Sequence, residues 1–95
     1  MTQSPAYTTI REYMLKADVT SARAFSEWLK QYPNGFSHAT VANWLNGSTP
    51  RDVDMYVYYG STPAGSIQRD FAAAILAIVN PALVAMMAPS SLPSM

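Results

Sequence analysis

The sequence predicts an all-α fold of five short helices with a flexible C-terminal tail. Three observations carry that reading. Apolar residues recur at spacings of three and four in segment after segment, the period of a helix with one buried face. Ser or Thr stands where most of these segments start, and Gly, Pro or Asn where they stop, as helix caps require. The chain has 95 residues, enough for one compact core and no more.

The elements follow in order. Residues 1–7 are expected to form a flexible arm. Thr9 and Glu12 make a Thr-x-x-Glu capping box, and Ile10, Tyr13, Met14 and Ala17 continue a first helix to about Ala17. Thr20 or Ser21 caps a second helix with a buried stripe of Ala22, Phe25 and Leu29, beside Trp28 and Tyr32. Pro33-Asn34-Gly35 is a turn. Ser37 caps a third helix to about Leu45, with Val41, Trp44 and Leu45 inward and Gly47 as its left-handed terminator. Thr49-Pro50 and Asp52 are start signals for a fourth helix over about 50–59. The Tyr and Val content of Met55 to Tyr59 also suits a strand, but the start signals favour helix. After a loop over 60–66, a fifth helix runs from about Ser66 to Val79 with Ile67, Phe71, Ala74, Ile75, Ile78 and Val79 on one face. Pro81 is expected to end it. Residues 1–80 are thus read as the helical domain and 81–95 as an apolar, proline-containing tail that orders on contact.

Composition removes several function classes. The chain is 49% hydrophobic and 12% aromatic, which is globular rather than disordered composition. It has no cysteine, so disulfides, thiolate metal sites and cysteine nucleophiles are excluded. A single histidine leaves too few ligands for a transition metal within one chain. No phosphate loop or nucleophile motif is present. Asp52 and Asp54 are two residues apart and point to different sides of a helix. No enzymatic activity, cofactor, metal or small-molecule substrate is expected. The N-terminal stretch lacks a basic segment followed by an apolar run, so a signal peptide is not expected. The uncharged run from Phe71 is interrupted by Asn80-Pro81, so a membrane span is not expected either, and a cytoplasmic location is.

Charge is sparse at 13% and sums to zero. It is uneven: residues 1–51 carry five basic and three acidic side chains, residues 52–95 one and three. The excess of cations lies in the N-terminal half, which also holds the third helix.

The segment Thr40-Val41-Ala42-Asn43-Trp44-Leu45-Asn46-Gly47-Ser48-Thr49-Pro50 resembles the end of the recognition helix and the following turn in the lambda-repressor/Cro-like helix-turn-helix family. The resemblance covers about residues 9–59. It implies a small helix-turn-helix domain whose third helix enters the major groove of double-stranded DNA, bound as a homodimer to a palindromic operator. One feature departs from the family: Leu29 to Val41 is about five residues longer than its tight turn, with residues 30–36 as the extra length. Ser26 falls nearest the family's small alanine.

On that resemblance the candidate DNA-binding residues are Ser37, His38, Thr40, Asn43 and Asn46 on the third helix, with Arg11, Arg23, Lys30 and Arg51 as phosphate anchors at the rim. Ser37 and the helix N-terminus suit a phosphate. His38 suits a guanine or a phosphate. Asn43 offers a donor and an acceptor to adenine. Each has a structural alternative. Ser37 is an N-cap, His38 a solvated surface residue, and Asn46 helix-end chemistry beside Gly47. Trp28 and Trp44 read as core packing, and one ring of Tyr56, Tyr58 and Tyr59 must face outward.

The function expected is a sequence-specific transcriptional regulator of phage or mobile-element type. The apolar face of the fifth helix and the tail are its expected dimer surface. The alternative is a protein-interaction module with a helix-turn-helix-like core and no DNA affinity, which the zero net charge and the tyrosines favour.

Overall fold

The computed structural model describes residues 4–87. These fold into six α-helices: α1 (Tyr7–Lys16), α2 (Ala22–Leu29), α3 (His38–Leu45), α4 (Asp52–Ser61), α5 (Ile67–Val79) and α6 (Pro81–Met87). No strand occurs among the described residues, so the all-α expectation holds, and Met55 to Tyr59 is helical.

Serine sets three of the helix starts. The side chains of Ser21, Ser37 and Ser66 accept hydrogen bonds from the backbone N–H of Ala24, Thr40 and Arg69, each satisfying one otherwise unpaired donor. Two other starts differ from expectation. α1 does not use the Thr9 capping box: it begins at Tyr7, with Ala6 in the cap position and no side-chain cap. Ala6 is fully buried and its carbonyl accepts from Ile10 N–H at 2.9 Å, so burial against the core fixes the entry of the chain. The expected arm is therefore partly seated: Ser4 and Ala6 are buried, while residues 1–3 lie outside the described residues. α4 begins at Asp52, not Pro50, with Arg51 in the cap position. Pro50 is buried ahead of the helix, and Asp52 Oδ1 accepts from Val53 N–H at 2.8 Å.

The end of α1 is closed by Asp18 in the left-handed conformation (φ 59°). Asp18 N–H bonds the Leu15 carbonyl and Val19 N–H the Met14 carbonyl, the paired closure of a Schellman motif.

The core is aromatic and centres on Phe71. Its ring meets Phe25 at 5.4 Å and Tyr13 at 5.5 Å, both edge-on. Phe36 joins Trp44 at 4.9 Å and Tyr58 at 5.3 Å. The buried face of α5 is turned slightly from the expected one. Gln68, Phe71, Ala72, Ile75 and Leu76 are buried, while Ile67 is 45% exposed. α1 and α4 both pack on this helix.

The fifth helix ends ahead of Pro81 as expected, but a sixth helix follows it at once. α5 stops at Val79, Asn80 adopts a non-helical conformation, and Pro81 opens α6, where its missing N–H costs nothing. Asn80 joins three elements. Its Oδ1 accepts from Leu83 N–H at 3.2 Å, capping α6, and its Nδ2 donates to Asp52 Oδ2 at 2.8 Å. Leu83 and Val84 are partly buried against the core. The segment expected as a tail thus begins as a sixth helix; residues 88–95 lie outside the described residues.

Three side chains anchor the C-terminal end of α2. Tyr58 Oη donates to the Leu29 carbonyl at 2.6 Å, Gln68 Nε2 to the Trp28 carbonyl at 3.3 Å, and Ser26 Oγ to the Phe36 carbonyl at 2.7 Å. Burial, and then the neighbouring Tyr32, push the Tyr58 phenol above the usual tyrosine range.

Tyr58→Phe leaves the Leu29 carbonyl without its donor and is expected to lower stability in urea unfolding by about 1–3 kcal/mol. A raised phenol pKa means that the folded chain keeps a proton which the unfolded chain releases above about pH 10. The Tyr58 contribution is complete below that pH and is lost as pH rises through the folded value. The variant should therefore lose stability less steeply above about pH 10. Tyr13, whose phenol is raised by burial, then Asp70 and Glu12, keeps part of the slope. Identical alkaline slopes for the two proteins would refute the assignment to Tyr58.

Candidate nucleic-acid interface

α3 is held by what precedes it. Residues 30–37, the lengthened joint, fold back on α2. Gly35 makes this approach possible: a Cβ there would lie 2.6 Å from Lys30 Cα and 2.9 Å from the Leu29 carbonyl oxygen, closer than any side chain tolerates. Ser26 binds the Phe36 carbonyl across the joint, and the Phe36 ring is buried between Trp44 and Tyr58. The extra length is thus anchored at its end, and α2 and α3 pack directly on each other.

Ser37 opens α3. Its Oγ accepts from Thr40 N–H at 3.2 Å and lies 3.1 Å from Thr40 Oγ1. Both hydroxyls are therefore brought together at the helix start, as part of the cap. At the other end Asn46 is the C-cap, and the Asn43 carbonyl accepts from Asn46 N–H at 3.1 Å and Ser48 N–H at 2.9 Å. Gly47 (φ 114°) supplies the left-handed residue. This closure occupies the Asn43 backbone and leaves its side chain on an exposed residue.

Val41 and Trp44 are buried. At about 100° per residue, the opposite side of α3 carries Ala39, Asn43 and Asn46, all exposed. His38 is exposed at one flank of this stripe, and Thr40 half-buried at the other. The four cations stand on other elements. Arg11 lies on α1, Arg23 in the first turn of α2, Lys30 at the α2 C-cap and Arg51 before α4, all of them exposed. Of the nine residues, side-chain hydrogen bonds join only Ser37 and Thr40, and a backbone bond at the helix end joins Asn46 to Asn43.

An open cleft of about 390 Å³ lies at the N-terminal end of α3, lined by residues 33–37, Thr40, Asp54 and Val57. The sequence reading placed neither Asp54 nor Val57 here. Asp54 brings a carboxylate to the end of α3 where Ser37 and the helix N-terminus were expected to meet a phosphate. Asp52, expected on a different side of the helix, accepts from Asn80 Nδ2. The spacing Asp54-Val57 pointed to one face of a helix, but nothing local pointed to α3 as its neighbour.

Comparison of the chain with known protein families, with characterised proteins and with solved structures finds no match. The class that the fold defines is a small six-helix domain over the described residues.

Gly35→Ala is expected to cost about 1–3 kcal/mol, the usual penalty of overpacking, because the displaced atoms are backbone. Urea unfolding monitored by tryptophan fluorescence reads it. An unchanged midpoint would show that the joint is not held tightly against Lys30.

Proposed function

We propose that the protein is a small sequence-specific DNA-binding regulator of the lambda-repressor/Cro-like type, acting as a homodimer on double-stranded DNA. The observation that carries the reading is the outer side of α3. A capped helix packs on α2, buries Val41 and Trp44, and presents an uncharged polar stripe, Asn43 and Asn46 with Ala39, to solvent. Such a stripe suits base edges rather than phosphates. His38 and Thr40 flank it. Arg11, Arg23, Lys30 and Arg51 supply the phosphate contacts from the surrounding elements, and Ser37 serves the helix cap first. With at most four such cations per chain, two copies are needed for useful affinity, since each neutralised phosphate contributes through counterion release.

A second reading has its own observation. Val53, Tyr56 and Val57 are 58, 49 and 46% exposed, an apolar patch that fits a protein-interaction module.

Enrichment from a random duplex pool at low and moderate salt separates the two. The DNA reading expects a palindromic motif whose affinity falls steeply with salt. Failure to enrich at low salt, with the chain folded, overturns it in favour of the interaction module. Given a motif, Asn43→Ala should lose about 1–3 kcal/mol of discrimination at one base position. Arg51→Ala should weaken binding to all sequences alike and reduce the salt slope by about one. A base-specific effect of Arg51, or none from Asn43, would reverse the assigned roles.

A further inference from the structure

The dimer surface expected from the sequence was the apolar face of α5 together with the tail, of which residues 88–95 lie outside the described residues. Phe71 and Ile75 of that face are fully buried within one chain, so that face is not free to pair. Six large hydrophobic side chains are well exposed among the described residues: Leu15, Val53, Tyr56, Val57, Ile67 and Met86. Three of them fall on α4, at positions i, i+3 and i+4. Gly60 extends the same stripe by one turn and is exposed, and a Cβ there would meet no described atom outside its own stretch of helix within 4 Å. The opposite side of α4, Met55 and Tyr58, is buried. Among the described residues α4 is therefore packed on one side and unpartnered and apolar on the other.

We propose that this stripe is where a second copy of the chain binds, with the two α4 helices antiparallel about a two-fold axis. The proposal rests on the homodimer of the preceding reading and gives that dimer its contact.

The stripe is its own complement. Reversing one helix against the other sets Val53 opposite Gly60 of the second copy and Tyr56 opposite Val57. Large thus meets small at the two ends, and the absent side chain of Gly60 gives the room for close approach. Charge agrees. The first turn of α4 carries Asp52 and Asp54. At its other end the Arg69 guanidinium lies 4.0 Å over the Tyr59 ring and donates to the Thr62 carbonyl at 3.1 Å. At about 100° per residue, Asp52 and Tyr59 share one flank of the stripe. An antiparallel pair therefore brings the acidic end of each helix to the cationic end of the other, and each positive N-terminus to a negative C-terminus. A nucleic acid fits this face poorly, because its phosphates would meet both aspartates. An anionic membrane surface meets the same objection.

Three apolar side chains and a glycine make a short contact, whereas a standard stable interface takes about 20–30 residues a side. A weak, reversible dimer is expected.

Sedimentation equilibrium of the full chain over a wide concentration range tests this. The expected result is a monomer–dimer equilibrium, with dissociation weakened about tenfold or more by Val57→Glu, a charge placed at the centre of a desolvated contact. Gly60→Leu is the second variant: a Cβ there meets nothing outside its own helix among the described residues, and the change replaces a helical glycine, so it should melt no lower than the parent while losing the dimer. Met86→Glu, on α6, should dimerise as the parent does. A parent monomeric at every concentration overturns the proposal. So does loss of the dimer in Met86→Glu but not in Val57→Glu or Gly60→Leu. Duplex enrichment on the same samples keeps the two readings apart. A monomer that still selects a motif rejects this contact and the homodimer in free solution, and keeps the DNA reading. A dimer through α4 that selects none rejects the DNA reading alone.

Discussion

The fold depends on how the C-terminal end of α2 is held. Helix ends leave carbonyls without partners, and a buried carbonyl left so costs about 1–3 kcal/mol. Here Tyr58 of α4 and Gln68 of α5 donate to the Leu29 and Trp28 carbonyls, and Ser26 returns a bond from α2 to the Phe36 carbonyl. One helix end thereby fixes the joint to α3 and two helices far along the chain. The contacts are directional, so they set a geometry as well as an energy. The aromatic rings pack around the same place: Phe36 against Tyr58, and Phe25 against Phe71. A chain with no disulfide available obtains its single arrangement from this combination of polar anchors and interlocked rings.

Local rules made the serine-capped starts of α2, α3 and α5 legible in the sequence, because a cap and its helix lie within four residues. The same holds for Gly47, whose place follows from helix-end chemistry. The inward set of α3 was likewise legible from the spacing of Val41 and Trp44. What could not be read had long-range causes. Ala6 begins α1 because the core buries it, which overrides the better capping box at Thr9. Pro81 begins a helix because Asn80 is held by Asp52, 28 residues earlier, and so can cap α6. The small turn of the α5 face follows from Gln68, a polar residue buried to reach Trp28 and Gln31. A hydrophobic pattern assigns such a residue to solvent.

The candidate site divides in the same way. That α3 would expose Asn43 and Asn46 was legible, because periodicity opposes them to Val41 and Trp44. That Asp54 would line the cleft at the start of α3 was not, because only the packing of α4 brings it there. The consequence is electrostatic. The excess of basic residues before position 52 suggested a positive surface around α3, yet tertiary structure returns an acid to one end of it. In the DNA reading this favours contact through the middle and C-terminal part of α3 over a phosphate held at its N-terminus. It also suits a chain of zero net charge, whose affinity would come from a few placed cations rather than from a broad positive field.

Val57 links the two proposals physically. It lies on the exposed stripe of α4 and also lines the cleft with Ser37 and Thr40 at the start of α3. A second copy seated on α4 would therefore bring two α3 helices near one two-fold axis, and the rigid joint of residues 30–37 would carry their orientation. Half-site spacing on a palindromic duplex is set by such a distance. In this arrangement the lengthened joint has a use: it turns Phe36 into the core, fixing the angle of α3 against both α2 and α4. A shorter turn would leave no residue to fill the space between Trp44 and Tyr58. The relation between α3 and α4, and hence between two copies paired through α4, would then rest on fewer contacts.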